Sequence, residues 1–122
     1  MPTQQKRGKP RIDLRVSVRV KNQSRLQEFY SRNLSSGGIY LEIPNDPPAV
    51  GSKLTLTFEI PGLGKSFSAD AEVVHQHSFE SMDENFTNTA RHGVGLRFIN
   101  LRGEDEKLIQ KFITGKDLRV SS

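Results

Sequence analysis

The chain contains no cysteine, so it has neither a disulfide framework nor a thiolate metal site, and it fits a reducing compartment. It also lacks any apolar run near the ~18 residues that a membrane span needs. The charged N-terminus is not followed by the apolar block of a signal peptide. Missing too are a nucleophile with an ordered base, an acid pair in a motif, and a glycine-rich nucleotide loop opening a helix. These absences predict a soluble, cytoplasmic, non-enzymatic protein with no membrane insertion and no cofactor. There are no internal repeats.

A length of 122 residues suits one domain with a small core and short tails. The net charge of +4 is unevenly placed. Residues 1–20 hold six basic residues (Lys6, Arg7, Lys9, Arg11, Arg15, Arg19) against Asp13. That leaves 12 of the 18 basic and 13 of the 14 acidic residues to the rest of the chain, a balance of −1. A nucleic-acid-coating surface spreads its charge over a face, whereas this pattern predicts one local anion site.

Residues 1–11 are polar and basic and are expected to form a flexible arm. Ile12, Leu14, Val16, Val18 and Val20 then alternate with Arg11, Asp13, Arg15, Ser17 and Arg19, the period of a half-buried strand. A turn at 21–24 leads to a second strand over 25–34, and a third covers 39–43. Pro44, Pro47 and Pro48 end it, since proline cannot donate to a ladder. Leu54, Leu56, Phe58 and Ile60 mark a fourth strand. Phe67, Ala69, Ala71 and Val73 begin a fifth that continues to about His77, and Val94, Leu96 and Phe98 a sixth. Residues 78–90 show no period and predict a long loop.

From Glu104 to Thr114 the period changes. Leu108, Ile109, Phe112 and Ile113 share a helical face, acidic residues fill the first turn, and Gly115 is the expected stop. The fold expected is mainly β: a six-stranded antiparallel barrel over 12–115, with a C-terminal helix covering one end and a tail at 116–122. Closure removes exposed edges.

Two stretches point to a ligand. Asn33-Leu34-Ser35-Ser36-Gly37-Gly38 places short polar side chains beside adjacent glycines. Asn and Ser build tight turns through local hydrogen bonds, and glycine reaches positive φ at little cost. Upstream lies the basic run Lys6-Arg7-Gly8-Lys9-Pro10-Arg11. Together they suit a phosphate-bearing ligand. Read alone, the first is a hairpin turn and the second a solvated tail. His75 and His77 share a strand face, but without carboxylate support they do not make a metal site.

Arg7-x-x-x-Arg11 followed by Asn33-x-Ser35-x-x-Gly38 resembles the paired signature of the PilZ family, known for bacterial receptors of cyclic di-GMP. Gly37-Gly38-Ile39-Tyr40-Leu41 is similar to that family's strand after the turn. His92-Gly93-Val94-Gly95-Leu96-Arg97-Phe98, with the helix behind it, is similar to its usual ending. The resemblance covers residues 6–114 and looks like a stand-alone, single-domain member.

It implies that Arg7 and Arg11 bind the dinucleotide, a planar guanidinium being suited to phosphate, to guanine O6 and N7, and to stacking. It assigns guanine or ribose contacts to Asn33 and Ser35, and close approach of the turn to Gly38. Asn33 offers one acceptor and adds a donor, where the family's acidic alternative at this position would accept guanine N–H groups. Lys6, Gly37 and His75, the last near a stacking position of relatives, are further candidates. So is Arg15, because Arg11-x-x-x-Arg15 has the same spacing.

Three functions follow as expectations. In the first, a cyclic di-GMP receptor orders its arm on binding and presents a changed surface to an effector protein. In the second, a PilZ-like adaptor works through protein contacts without nucleotide. The third, a barrel binding single-stranded nucleic acid, needs exposed aromatics amid positive charge, which the balance of −1 disfavours.

Overall fold

Apolar residues at every second position commit most of this chain to half-buried strands. The computed structural model describes residues 11–82, 85–101 and 103–121. Its elements are β1 (Arg11–Asp13), β2 (Ser17–Asn22), β3 (Arg25–Ser35), β4 (Gly38–Ile43), β5 (Lys53–Glu59), β6 (Ser66–Met82), β7 (Asn88–Phe98) and α1 (Gly103–Ser121). Around the barrel the order is β3-β2-β5-β6-β7-β4, closed by the β3–β4 pairing, with every neighbour antiparallel. The short β1 adds to β3 outside this ring.

Inward residues from each strand meet in one core. Val18, Leu34, Leu41, Leu56, Phe67, Ala71 and Val94 are completely buried. Phe58 stacks between Phe67 and Phe98, with ring centroids 5.7 and 6.1 Å away. Ile109 and Ile113 of α1 join the same core, so the helix covers one end of the barrel. Asp105, in its first turn, is buried and paired with Lys65 of the β5–β6 turn at 2.6 Å.

The expected first strand is in fact two, β1 and β2. Arg11↔Ser35 and Asp13↔Asn33 pair in one register, Ser17↔Tyr30 in another shifted by a residue. A bulge therefore occupies the segment between them. The buried Ser31 side chain bridges it: its hydroxyl donates to the Leu14 carbonyl at 2.5 Å and accepts the Val16 N–H at 3.0 Å.

The loop expected at 78–90 is mostly ribbon. Ser78 to Met82 pair with His92 to Asn88, so the last strand begins at Asn88 rather than near Val94. Most of these residues are exposed on both faces, and a ribbon that buries neither face leaves no apolar period to read.

The helix also continues past Gly115 to Ser121, where a stop was expected. One glycine costs a helix only about 1 kcal/mol relative to alanine. The following Lys116-Asp117-Leu118-Arg119-Val120 contains no proline, so nothing obliges the chain to leave the helix there.

Candidate functional site

Strand alternation would carry Asn33 to the same side as Phe29 and Ser31, toward the core. It does not, because β3 bulges against β4: Ser31 pairs with Leu41 but Asn33 pairs with Tyr40. The extra residue, Arg32, reverses the parity. Leu34 becomes the inward residue, and Asn33 and Ser35 turn to the rim. A second bulge does the same in β6, where Val73 pairs with Leu96 but His75 with Gly95. It brings His75 and His77 to the outer face of the barrel.

The two re-aimed segments line one cleft of about 180 Å³, together with Arg11 and the glycine turn. Its lining includes Arg11, Asn33, Ser35, Gly37 and Gly38, together with Tyr40, His75 and Arg97. Arg11 is placed there by the β1–β3 ladder, directly opposite Ser35. Of the residues expected at the site, the structure thus brings together Arg11, Asn33, Ser35, Gly37, Gly38 and His75. Arg7 and Lys6 lie outside the described residues. Arg15 is not in this cleft; its guanidinium carbon sits 3.9 Å from the centroid of the Tyr30 ring.

Ser35 shapes the turn. Its hydroxyl accepts the N–H groups of Gly37 and Gly38, both at 3.1 Å, and donates to the Gly38 carbonyl at 3.4 Å. The Gly37 carbonyl accepts the Phe98 N–H at 2.9 Å. Neither glycine takes a positive φ, a conformation kept by Gly51, Gly62 and Gly64. What Gly38 supplies is therefore the close approach that the resemblance implies, not a positive φ. A Cβ on Gly38 would run into the Leu96 carbonyl oxygen and lie 3.3 Å from the Arg97 Cα.

Glycines on β7 play a related part for the aromatic wall. Gly95 lies under the His75 ring, where a Cβ would sit 2.8 Å from Cδ2 and Cε1. Gly93 lies under Tyr40, whose hydroxyl is 2.9 Å from His77 Nε2. His75 and His77 are stacked at 6.4 Å, with Tyr40 tilted against both and Phe79 against His77. Burial pushes the Tyr40 hydroxyl above the ordinary 10.0; the Arg32 guanidinium opposes that rise and Glu42 adds to it. Glu42 itself pairs with Arg32 at 3.1 Å and Arg91 at 3.7 Å.

Such a cleft offers a cation at its lip, short polar side chains on a tight turn, and flat rings beside it. That is chemistry for a phosphate ester carrying an aromatic base. Among the described residues no group of three or more His, Asp or Glu is placed to hold a metal ion, and no helix is long and apolar enough to cross a membrane.

The sequence reading missed Arg97 and Tyr40. Both face outward between inward neighbours, Leu96 and Phe98 for one, Ile39 and Leu41 for the other. That parity was visible, but the cross-strand neighbours that give it meaning were not.

Similar folds recur among solved structures. The PilZ domain of YcgR from Escherichia coli, determined with c-di-GMP, is 18% identical with a TM-score of 0.76, and the match covers 94% of each chain. The Bacillus subtilis inhibitor of motility MotI/DgrA gives 17% and 0.74, covering 93% of this chain and 52% of that one. MrkH from K. pneumonia, in its c-di-GMP complex, gives 16% and 0.74, covering 95% and 54%. The chain thus spans about half the length of the latter two. At these identities the likeness is one of fold. No curated protein matches the chain by sequence. The PilZ domain model, by contrast, matches residues 5–115, the whole barrel and most of its helix, and the chain belongs to the PilZ domain family.

Proposed function

We propose that the chain is a receptor for cyclic di-GMP, in which residues 1–11 form a basic arm over a body of residues 12–115. One observation carries this reading: the β1–β3 register sets Arg11 opposite Ser35, in a cleft shared with Asn33, Gly37 and Gly38. The arm's charge thereby meets the turn's polar groups. Arg11 takes phosphate or a guanine edge, with Arg7 supplying a second guanidinium. Asn33 bonds the guanine, and the His75 ring offers a stacking surface.

Membership of the family and the c-di-GMP in the E. coli YcgR domain support the choice of ligand. Arg11 being already held in β1, ordering the rest of the arm against the barrel costs free energy that the ligand contacts offset, and the newly ordered surface is what an effector protein reads. The test is calorimetric titration of cyclic di-GMP into the chain and into the Arg7→Ala/Arg11→Ala variant. Saturable binding that the variant loses supports the receptor, and uptake of more than a single ligand per chain indicates a stacked pair.

A nucleotide-free adaptor is the second reading. It is favoured by the Ser35 hydroxyl, which is already engaged by three groups of its own turn. Absence of heat and of thermal shift at micromolar ligand selects it.

A further inference from the structure

One cation of the cleft is left over by that assignment. Arg97 lines the cleft with Arg11 and Asn33, yet its Nη2 donates to Glu72 Oε1 at 2.6 Å, and its side chain is 58% exposed. The cross-strand registers explain the position. Gly38 of β4, Arg97 of β7, Glu72 of β6 and Lys53 of β5 form one row across the outer face. On the β6 side Arg97 meets a carboxylate. On the β4 side it meets a residue with no side chain, and beyond it the polar turn.

We propose that Arg97 is a further ligand-binding arginine of the site, and that Glu72 holds it back by competing with the ligand for its guanidinium. The inference rests on the receptor reading above. Adjacent strands lie about 4.8 Å apart, within the reach of an arginine side chain, and Gly38 leaves the way across β4 open. An exposed ion pair of this kind is weakly held, whereas a phosphodiester oxygen or a guanine edge offers charge-assisted, forked bonds. A dianion then draws Arg97 from Glu72 toward Arg11. In the empty cleft, Glu72 offsets the repulsion between the two guanidiniums. Gly38 thereby has two effects at one position: β7 packs closely beneath it, and Arg97 passes over it.

The experiment is titration of cyclic di-GMP into four forms: the unaltered chain, Arg97→Gln, Glu72→Gln and the double variant. Arg97→Gln weakens binding by about tenfold or more, the loss expected for a charge-assisted contact. Glu72→Gln tightens binding a few-fold, and in the double variant that gain disappears, because Glu72 acts only through Arg97. Unchanged affinity in Arg97→Gln overturns the inference. So does weaker binding by Glu72→Gln, or a gain that survives in the double variant, which would make Glu72 a diffuse negative charge. All three outcomes leave the receptor standing. If the unaltered chain takes up no cyclic di-GMP, the receptor reading fails and this inference fails with it.

Discussion

Gly38 and Leu96 approach each other so closely across the β4–β7 ladder that no Cβ fits between them. The atoms in the way belong to backbone: the Leu96 carbonyl oxygen, its carbon at 3.2 Å and the Arg97 Cα at 3.3 Å. A backbone neighbour cannot rotate aside as a side chain can. Gly38→Ala must therefore push β4 from β7 at the point where the turn meets the cleft. We expect a destabilisation of about 1–3 kcal/mol, measured by urea unfolding, with weakened ligand uptake. Alanine at Gly115, where a Cβ meets nothing, serves as the control, and equal stability of the two variants would refute the steric account.

Arg11 is exposed on a short strand that adds to the barrel without being part of its ring. Its removal takes nothing from the core. Arg11→Ala is expected to abolish cyclic di-GMP binding in a titration while moving the melting temperature by no more than about 2–3 °C, surface changes being worth within about 0.5 kcal/mol. Arg15→Ala has the opposite profile. It keeps binding, because Arg15 stacks on Tyr30 away from the cleft. Loss of binding by Arg15→Ala alone would shift the arginine pair to positions 11 and 15.

Tyr40 links the cleft to alkaline pH. Burial, the largest influence, raises its folded value above 10.0, so the folded chain holds this proton more tightly than the unfolded chain. The resulting stability is complete below the ordinary tyrosine value of about 10 and is lost as pH rises through the raised one. Melting temperatures recorded across that alkaline range should fall more steeply for the unaltered chain than for Tyr40→Phe. Parallel curves would mean that the hydroxyl is not the source of the slope.

Much of the barrel was legible because its strands bury one face and expose the other. Leu54-Thr55-Leu56-Thr57-Phe58 reads directly as β5, and the ring of hydrogen bonds follows from such segments. What escaped was set by pairing rather than by period. The β6–β7 ribbon beyond His77 buries little and so carries no pattern. The bulges at Arg32 and Val74 left only faint marks, Leu34 out of phase with Phe29 and the doublet Val73-Val74. Those two bulges turn Asn33 and His75 into the cleft. The motif residues were found from the sequence, but their common orientation comes from register. Arg97 needed the cross-strand view entirely, since its chain neighbours reveal neither Glu72 nor Gly38 beside it.

Lys65 and Asp105 offer the sharpest test of how the helix is held. The pair joins the β5–β6 turn to the first turn of α1 at 2.6 Å, with side-chain exposures of 37% and 7%. The two partners are therefore unequally solvated. Removing the carboxylate frees an ammonium that water can reach. Removing the ammonium strands a carboxylate in a nearly dry place, a change that costs more than the pair itself is worth. Lys65→Met should accordingly destabilise the chain more than Asp105→Asn, by about 2 kcal/mol against about 1. The double variant should recover part of the Lys65→Met loss, because it no longer buries a lone charge. Urea midpoints at constant slope measure all three. If Lys65→Met is no worse than Asp105→Asn, the helix is held by its apolar face, Ile109 and Ile113 with the half-buried Leu108 and Phe112, and the ion pair adds nothing to it.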